Sequence, residues 1–121
     1  MLHSATTYPS VLGRVLAFHR EQAGLSQADL AHVVGITQST WSKVERGESS
    51  LALEQLRMVA PAMSKTPLEI VDDAERATSA LRASGVDVRP NRIDPNDAIA
   101  VGLAIVALAV VTAIVVKLLN D

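Results

Sequence analysis

The sequence predicts an all-α protein: a domain of five short helices, a flexible linker and a single C-terminal transmembrane helix. Three observations predict this class. Apolar residues recur at three- and four-residue spacing across residues 10–83, helix-capping residues stand at the breaks, and residues 98–116 carry no charge. Because 49% of the residues are hydrophobic and only 2% are aromatic, aliphatic side chains have to build the core.

The first two helices are delimited by a glycine and a capping box. Helix one is expected over about residues 11–23, before Gly24, a residue type that commonly ends helices. Ser26 and Asp29 match a capping box, in which the hydroxyl accepts a hydrogen bond from the third backbone N–H of the helix. Helix two is therefore predicted over residues 27–34.

A third short helix follows after a tight turn. Gly35 breaks the chain, and Thr37 can cap a helix over residues 38–45. Gly47 is placed to stop that helix. The spacing predicts two short helices joined by a glycine turn.

The remaining helices of the domain have a clear apolar face or a clear start. Helix four is predicted over about residues 53–63, where apolar residues share one face. Thr66 and Glu69 form a second capping box, with Pro67 at the first helical position. Helix five is therefore predicted from residue 67 to about residue 83.

Composition divides the chain into four parts. We expect an N-terminal arm at residues 1–9, the helical domain at 10–83, a linker at 84–97 and the transmembrane helix at 98–119. At about 1.5 Å per residue, the uncharged run approaches the roughly 30 Å thickness of the hydrocarbon core of a bilayer.

Basic residues near the apolar segment predict its orientation. Arg82, Arg89 and Arg92 precede it, whereas Lys117 alone follows its uncharged part. Because positive residues favour the cytoplasmic side, the sequence predicts a single-pass protein of the bacterial inner membrane with its N-terminal domain in the cytoplasm. The lipid bilayer is then one expected partner.

Several functional classes are disfavoured by the composition. The chain has no cysteine, which excludes disulfides and thiolate metal sites. His3, His19 and His32 are too scattered to predict a metal site, and no nucleophile stands with a base and an orienting group. We therefore expect no metal, no cofactor and no enzymatic activity. The net charge is +1 for residues 1–65 and −3 for residues 66–97, so a nucleic acid would contact the first half.

The run LSQADLAHVVGITQSTWSKVERG, residues 25–47, resembles the helix-turn-helix of phage repressors, the Cro/CI or XRE family. The similarity extends over about residues 11–71. It implies a lambda-repressor-like fold of five helices whose third helix enters the major groove of double-stranded DNA. It also implies a homodimer or higher homo-oligomer on a two-fold operator. Trp41 stands where relatives carry an aliphatic residue, and we expect it in the core.

The resemblance implies two sets of DNA contacts. Gln38, Ser39 and Lys43 match base-contacting positions, which suits their chemistry because glutamine can pair with adenine and lysine can donate to guanine. Phosphate contacts are implied for four further polar residues, namely Gln27, Thr37, Thr40 and Arg46.

These features predict a membrane-anchored, sequence-specific DNA-binding protein that acts as a repressor-like transcriptional regulator or as a tether between DNA and membrane. One alternative is a membrane scaffold whose helix-turn-helix binds protein, a layout that resembles cytoskeletal proteins of the RodZ type. The other is an oligomer built on the hydrophobic helix. Steeply salt-dependent binding to duplex DNA would distinguish the first reading from both alternatives.

Overall fold

The computed structural model describes residues 3–90, 103–105 and 108–120. Within these ranges the chain forms six helices and three short strands. In chain order they are β1 (His3–Thr7), α1 (Tyr8–Gln22), α2 (Gln27–Val34), α3 (Gln38–Glu45), α4 (Leu53–Ala62), α5 (Pro67–Ala83), β2 (Asp87–Arg89), β3 (Leu103–Ile105) and α6 (Leu108–Leu119).

The five predicted helices of the domain are confirmed, and α2 and α3 have the expected bounds. The capping box of α2 is formed: the Ser26 hydroxyl accepts from the Asp29 N–H at 3.0 Å, and the Asp29 carboxylate accepts from the Ser26 N–H at 2.8 Å. Thr66 and Glu69 make the same reciprocal pair at the start of α5. Local hydrogen bonds therefore set where these helices begin.

The core lies where α1 meets α3 and α5. Trp41 of α3 is completely buried, as expected, and so is Ile70 of α5. His19 of α1, also buried, places its Nε2 atom 2.6 Å from the Asp73 carboxylate of α5, which joins these two helices. Other buried aliphatic side chains complete the core: Val11, Val15, Leu16, Leu30, Val44, Leu56, Val59, Met63 and Leu81.

A small parallel sheet, which the all-α prediction missed, joins the two ends of the chain. The strand order is β2-β1-β3. Ala5 pairs with Asp87 on one side and with Ile105 on the other. Of the residues predicted as an N-terminal arm, 3–7 thus form β1 and 8 and 9 begin α1, and part of the predicted linker forms β2. Such short strands have too few residues to show the alternation that identifies a strand in a sequence.

The prediction of one continuous helix over residues 98–119 is wrong. Residues 103–105 form β3, and α6 has only 12 residues, about 18 Å at the rise of an α-helix. This helix packs against α1 and α5, and Val111 and Val115 are fully buried. Among the described residues no helix has the length and apolar character needed to cross a bilayer. Residues 91–102, which hold the rest of the predicted linker and the start of the predicted span, lie outside the described ranges.

The physical reason for this error is that an apolar run can be buried by protein as well as by lipid. The side of α6 that bears Val111 and Val115 is covered by the domain, whereas Val110 and Val116 on its other side are exposed. Valine therefore occurs on both the buried and the exposed side of this helix. Hydropathy alone therefore does not distinguish a core helix from a membrane helix.

Candidate nucleic-acid interface

Helix α3 has one polar exposed face and one buried face. The side chains of Gln38, Ser39 and Lys43, predicted to contact bases, are all exposed. Ser39 and Lys43 are four residues apart and share a face. On the opposite side Trp41 and Val44 are buried. The structure thus places all three predicted base-contacting residues at exposed positions of α3.

The start of α3 is set by Thr37 and Gly35. The Thr37 hydroxyl accepts from the Thr40 N–H at 3.1 Å and lies 2.9 Å from the Thr40 hydroxyl. Gly35 has a φ of 72°, a left-handed conformation that glycine adopts without strain, and this allows the chain to turn sharply from α2 into α3. Both threonines are exposed and stand at the start of α3. The first backbone N–H groups of a helix have no partner within the helix and can bind phosphate. The two hydroxyls lie beside these groups.

Glu45, at the end of α3, is the centre of a buried hydrogen-bond network. Its carboxylate accepts from Arg20 Nε at 2.7 Å, Arg20 Nη2 at 3.0 Å and Gln27 Nε2 at 3.0 Å, and also from the Trp41 indole N–H. Its backbone carbonyl accepts from Arg14 Nε at 3.0 Å and Nη2 at 2.7 Å. The network connects α1, α2 and α3 and thereby fixes the orientation of α3.

The charge of Glu45 is stabilised inside this network. Burial alone would raise the pKa of its carboxyl group, but the hydrogen bonds from Arg20, Gln27 and Trp41 outweigh burial and hold that pKa below its usual value. Glu45 is 1% exposed and therefore stays ionised at neutral pH. Sequence reasoning missed this role because Arg20 and Glu45 are 25 positions apart and neither stands in a recognisable local motif.

Gln27, a predicted phosphate contact, is partly engaged by the network. Its side-chain amide has two N–H groups, and one of them donates to Glu45. The side chain is half-buried at the start of α2. A contact to phosphate from this position would use the second N–H group, with the first one holding the amide in place.

Arg46, the other predicted phosphate contact, lies just after α3 and pairs with acidic and polar neighbours. Its guanidinium donates to the Glu48 carboxylate and to the Ser42 hydroxyl. The side chains of Arg46 and Glu48, which form this ion pair, are both about half exposed. Arg14 and Arg20 point toward Glu45 instead of the outer surface, so the exposed face of α3 has little positive charge beyond Lys43 and Arg46.

Gly13 allows α1 and α3 to pack closely. A Cβ atom at this position would lie 2.4 Å from the Glu45 carbonyl oxygen and 2.6 Å from that of Val44. Both distances are far below van der Waals contact. Nothing in the sequence around Gly13 indicates this requirement, because the residue sits inside a regular helix.

The metal-ligand chemistry of the domain is sparse. In the part of the chain that the structure describes, no cluster of three or more histidine, aspartate or glutamate side chains has the arrangement needed to hold a metal ion. Ionisable groups that meet in the interior, Arg20 with Glu45 and His19 with Asp73, are paired with each other.

The helix α2, the turn at Gly35 and the helix α3 form the arrangement that a known protein family describes. A family model described as a helix-turn-helix domain matches residues 11–90. The chain belongs to this helix-turn-helix family. The match includes every residue for which a DNA contact was predicted. A search of curated proteins found no significant match.

Solved structures of one regulator share the fold of this chain. The clp gene regulator ClgR from Corynebacterium glutamicum has a TM-score of 0.60 and 22% identity, over 64% of this chain and 82% of that chain. A second structure of ClgR gives a TM-score of 0.54 at 23% identity, over 58% of this chain and 91% of that one. The restriction-modification controller protein C.AhdI from Aeromonas hydrophila is 32% identical over 51% of this chain and 90% of its own, with a TM-score of 0.48.

Proposed function

We propose that this protein is a transcriptional regulator that binds specific sequences in double-stranded DNA by placing α3 in the major groove. One observation carries the proposal: the outer face of α3 is polar and exposed, while its inner face is fixed by the Glu45 network. A helix that reads base edges has to combine these two properties, because its side chains must reach the bases from a fixed backbone.

Each predicted contact has a place in this proposal. Gln38, Ser39 and Lys43 would read base edges from one surface of α3. The other contacts would be made to phosphates. Thr37 and Thr40 would use their hydroxyls at the start of α3. Gln27 would use its amide at the start of α2, and Arg46 its guanidinium after α3. Few bases are read by one such helix, so the proposed binding unit is a homodimer on two half-sites about 34–36 Å apart.

The polar character of α3 favours this function over the scaffold alternative. A surface that docks a protein partner usually has apolar or aromatic side chains at its centre. The exposed positions on α3 hold glutamine, serine, threonine and lysine, residue types that suit the grooves and backbone of DNA.

The test is selection of bound sequences from random DNA duplexes by the full chain, followed by titration of the selected site. The full chain is used because β2 and α6 pack on the domain. Gln38→Ala and Lys43→Ala should each weaken specific binding by about 5- to 150-fold and relax the preference at one base pair. Arg46→Ala should weaken binding to all sequences and reduce the salt slope by about 1.

A matched control is available for the lysine variant. Lys117 is an exposed basic residue on α6, which packs against α1 and α5. Lys117→Ala should therefore leave specific binding unchanged within about twofold, since a remote surface charge contributes little at physiological salt. If the chain selects no sequence, or if Lys43→Ala and Lys117→Ala behave alike, the proposed role of α3 is refuted.

An inner-membrane location stays a prediction from the sequence. The uncharged run of residues 98–116 favours it, whereas the burial of Val111 and Val115 against the domain opposes it. Carbonate extraction of membranes from cells that make the full chain tests the prediction. A span would remain in the membrane pellet, and a helix docked on its own domain would be released.

A further inference from the structure

The outward side of α6 is apolar and exposed. Its residues Ala109, Val110, Ala113 and Val116 are all exposed, the two valines at 47% and 36%, and we call these four residues the α6 face. A helix on the surface of a soluble domain normally has polar residues on its solvent side. Contiguous exposed apolar residues mark interaction surfaces more often than scattered ones do. The α6 face therefore indicates a contact with another molecule.

The polar groups of α6 allow this face to be covered. The helix has two polar side chains, Thr112 and Lys117. The Thr112 hydroxyl donates to the Leu108 carbonyl at 2.9 Å within the helix, so it needs no further partner. Lys117 lies near the C-terminal end, where its ammonium group can extend past the apolar residues into water. Covering the middle of the α6 face thus leaves no polar group of the helix without a partner.

The positions of the four residues suit a second copy of the same helix. Ala113 lies at the centre of the α6 face, and Val110 and Val116 lie about 60° to either side of it and about 4.5 Å before and after it along the axis. A second α6 related by a two-fold axis through the Ala113 pair would place four valines around two alanines. Alanine at the centre lets the helices approach closely. The α6 face is therefore complementary to itself, as a two-fold interface requires.

The charge of Lys117 favours the antiparallel arrangement. In a parallel pair the two ammonium groups would lie side by side and repel each other. In an antiparallel pair centred on Ala113, each lysine is four residues from the centre, which separates the two by about 12 Å along the axis. This exceeds the Debye length of about 8 Å at physiological salt. A lipid surface fits less well, because helices that lie on bilayers are rich in basic residues and α6 has one.

We propose that α6 is the dimerisation element of this protein and that the α6 face packs antiparallel on the α6 face of a second copy. The helix lies outside residues 11–90, which match the helix-turn-helix family, so the family match does not itself imply this pairing. The inference names the contact surface of the homodimer and in this respect rests on the proposed function. Because α6 packs on α1 and α5, its outward face can be covered while the exposed side of α3 stays open to DNA.

The size of the α6 face predicts a weak dimer. The helix has 12 residues and is about 18 Å long, so one side of it is smaller than the roughly 800 Å² that each partner contributes to a standard interface. We therefore expect a dissociation constant between about 10 μM and 1 mM in the absence of DNA. Two half-sites on one duplex hold two copies near each other, and this raised effective concentration makes weak pairing sufficient.

Sedimentation equilibrium of the full chain without DNA tests the pairing. Up to about 1 mM it should show a monomer–dimer equilibrium. Ala113→Glu places two carboxylates at the two-fold axis and should weaken self-association at least about tenfold. The variant should still fold, because Ala113 is exposed and Lys117, one turn later, can pair with the new carboxylate. Ala28→Glu, at an exposed alanine of α2, is the matched control and should change self-association less than about twofold.

Cysteine cross-linking tests the orientation. The sequence has no cysteine, so a single introduced cysteine reports on its own contact. Helix axes about 8–10 Å apart and a Cα radius of about 2.3 Å place the two residues at position 113 about 3.5–5.5 Å apart, which overlaps the Cα separation of about 4.4–6.8 Å in disulfides. Ala113→Cys should therefore form a covalent dimer under mild oxidation at least about tenfold faster than Lys117→Cys.

Three results would overturn the proposal: a chain that stays monomeric at about 1 mM, equal self-association of Ala113→Glu and Ala28→Glu, or equal cross-linking of Ala113→Cys and Lys117→Cys. A monomeric chain that co-sediments with vesicles of phosphatidylethanolamine and phosphatidylglycerol would also overturn it and would assign the α6 face to lipid. These assays contain no DNA. Failure of the pairing is therefore distinguishable from failure of the proposed contacts of α3, which the selection of DNA sequences measures.

Discussion

Replacing Glu45 by glutamine tests whether the buried network holds α3 in place. The carboxylate accepts hydrogen bonds from Arg20, Gln27 and Trp41. An amide has nearly the same shape, but its NH₂ group is a donor and would face other donors. The substitution also leaves the Arg20 guanidinium, which is 12% exposed, without its counter-ion.

The expected loss of stability is large for a domain of this size. Removing one partner of a buried ion pair lowers the free energy of unfolding by about 3–5 kcal/mol, out of a total of about 5–15 kcal/mol. The corresponding fall in Tm is on the order of 10–25 °C. Glu48→Gln is a matched control, since this residue forms an exposed pair with Arg46 and its loss should lower the free energy of unfolding by less than about 1 kcal/mol.

Urea denaturation of both variants, of Arg20→Met and of the double variant measures these effects. Once Arg20 is absent, the buried Glu45 charge has lost its counter-ion and keeps only the hydrogen bonds from Gln27 and Trp41. Removing the charge as well should then add little further loss of stability. The sum of the losses in unfolding free energy of the two single variants is therefore expected to exceed the loss in the double variant by about 1–3 kcal/mol. A loss below about 1 kcal/mol in Glu45→Gln, or strict additivity, would show that the network does not orient α3.

Acid titration checks the same network through its protonation. The pKa of Glu45 is lower in the folded than in the unfolded chain, where a glutamate has a pKa of about 4.3. Its contribution to stability is then complete above the unfolded pKa and is lost as the pH falls through the folded pKa. Glu45→Gln should have a flatter dependence of Tm on pH in this acidic window. Some slope should remain, because hydrogen bonds from Ser26 also lower the pKa of Asp29.

Three further predictions address packing and charge. Gly13→Ala should lower the free energy of unfolding by about 1–3 kcal/mol or more, since the added Cβ would lie 2.4 Å from a carbonyl oxygen at the end of α3. Urea denaturation measures this loss. A loss under about 0.5 kcal/mol would contradict the close approach of α1 and α3. Val115→Ala should lower the free energy of unfolding by about 2 kcal/mol, because Val115 is fully buried. Val116 is 36% exposed, so Val116→Ala should lower it by less than about 0.5 kcal/mol. Equal effects would mean that α6 does not dock on the domain. Glu48→Gln removes a carboxylate that pairs with Arg46 and would repel a phosphate bound there. It should therefore strengthen binding to all DNA sequences several-fold, and an unchanged affinity would speak against a phosphate contact at Arg46.

The local part of the fold could be predicted from the sequence. Ser26 with Asp29 and Thr66 with Glu69 are separated by three residues, and each pair makes its hydrogen bonds within one helical turn. Gly35 acts over a similarly short range. Such signals depend on neighbouring residues only, and for this reason the bounds of α2 and α3 were correct.

Features that depend on distant residues could not be predicted. Nothing near Ala5 indicates that it pairs with residues 87 and 105. Glu45 reads as an ordinary acidic residue at a helix end, because its partner Arg20 lies on another helix. The apolar run at the C-terminus shows how strongly it avoids water but not which surface covers it. These three features are determined by tertiary packing.

The position of β1 between β2 and β3 also constrains the order of events during synthesis. The strand is synthesised almost 100 residues before residues 103–105, which cover one of its sides. At roughly 5–20 residues per second, the delay is on the order of 5–20 s. During that interval the nascent chain has an open backbone edge along β1, so a chaperone that shields extended segments would find a binding site in residues 3–7.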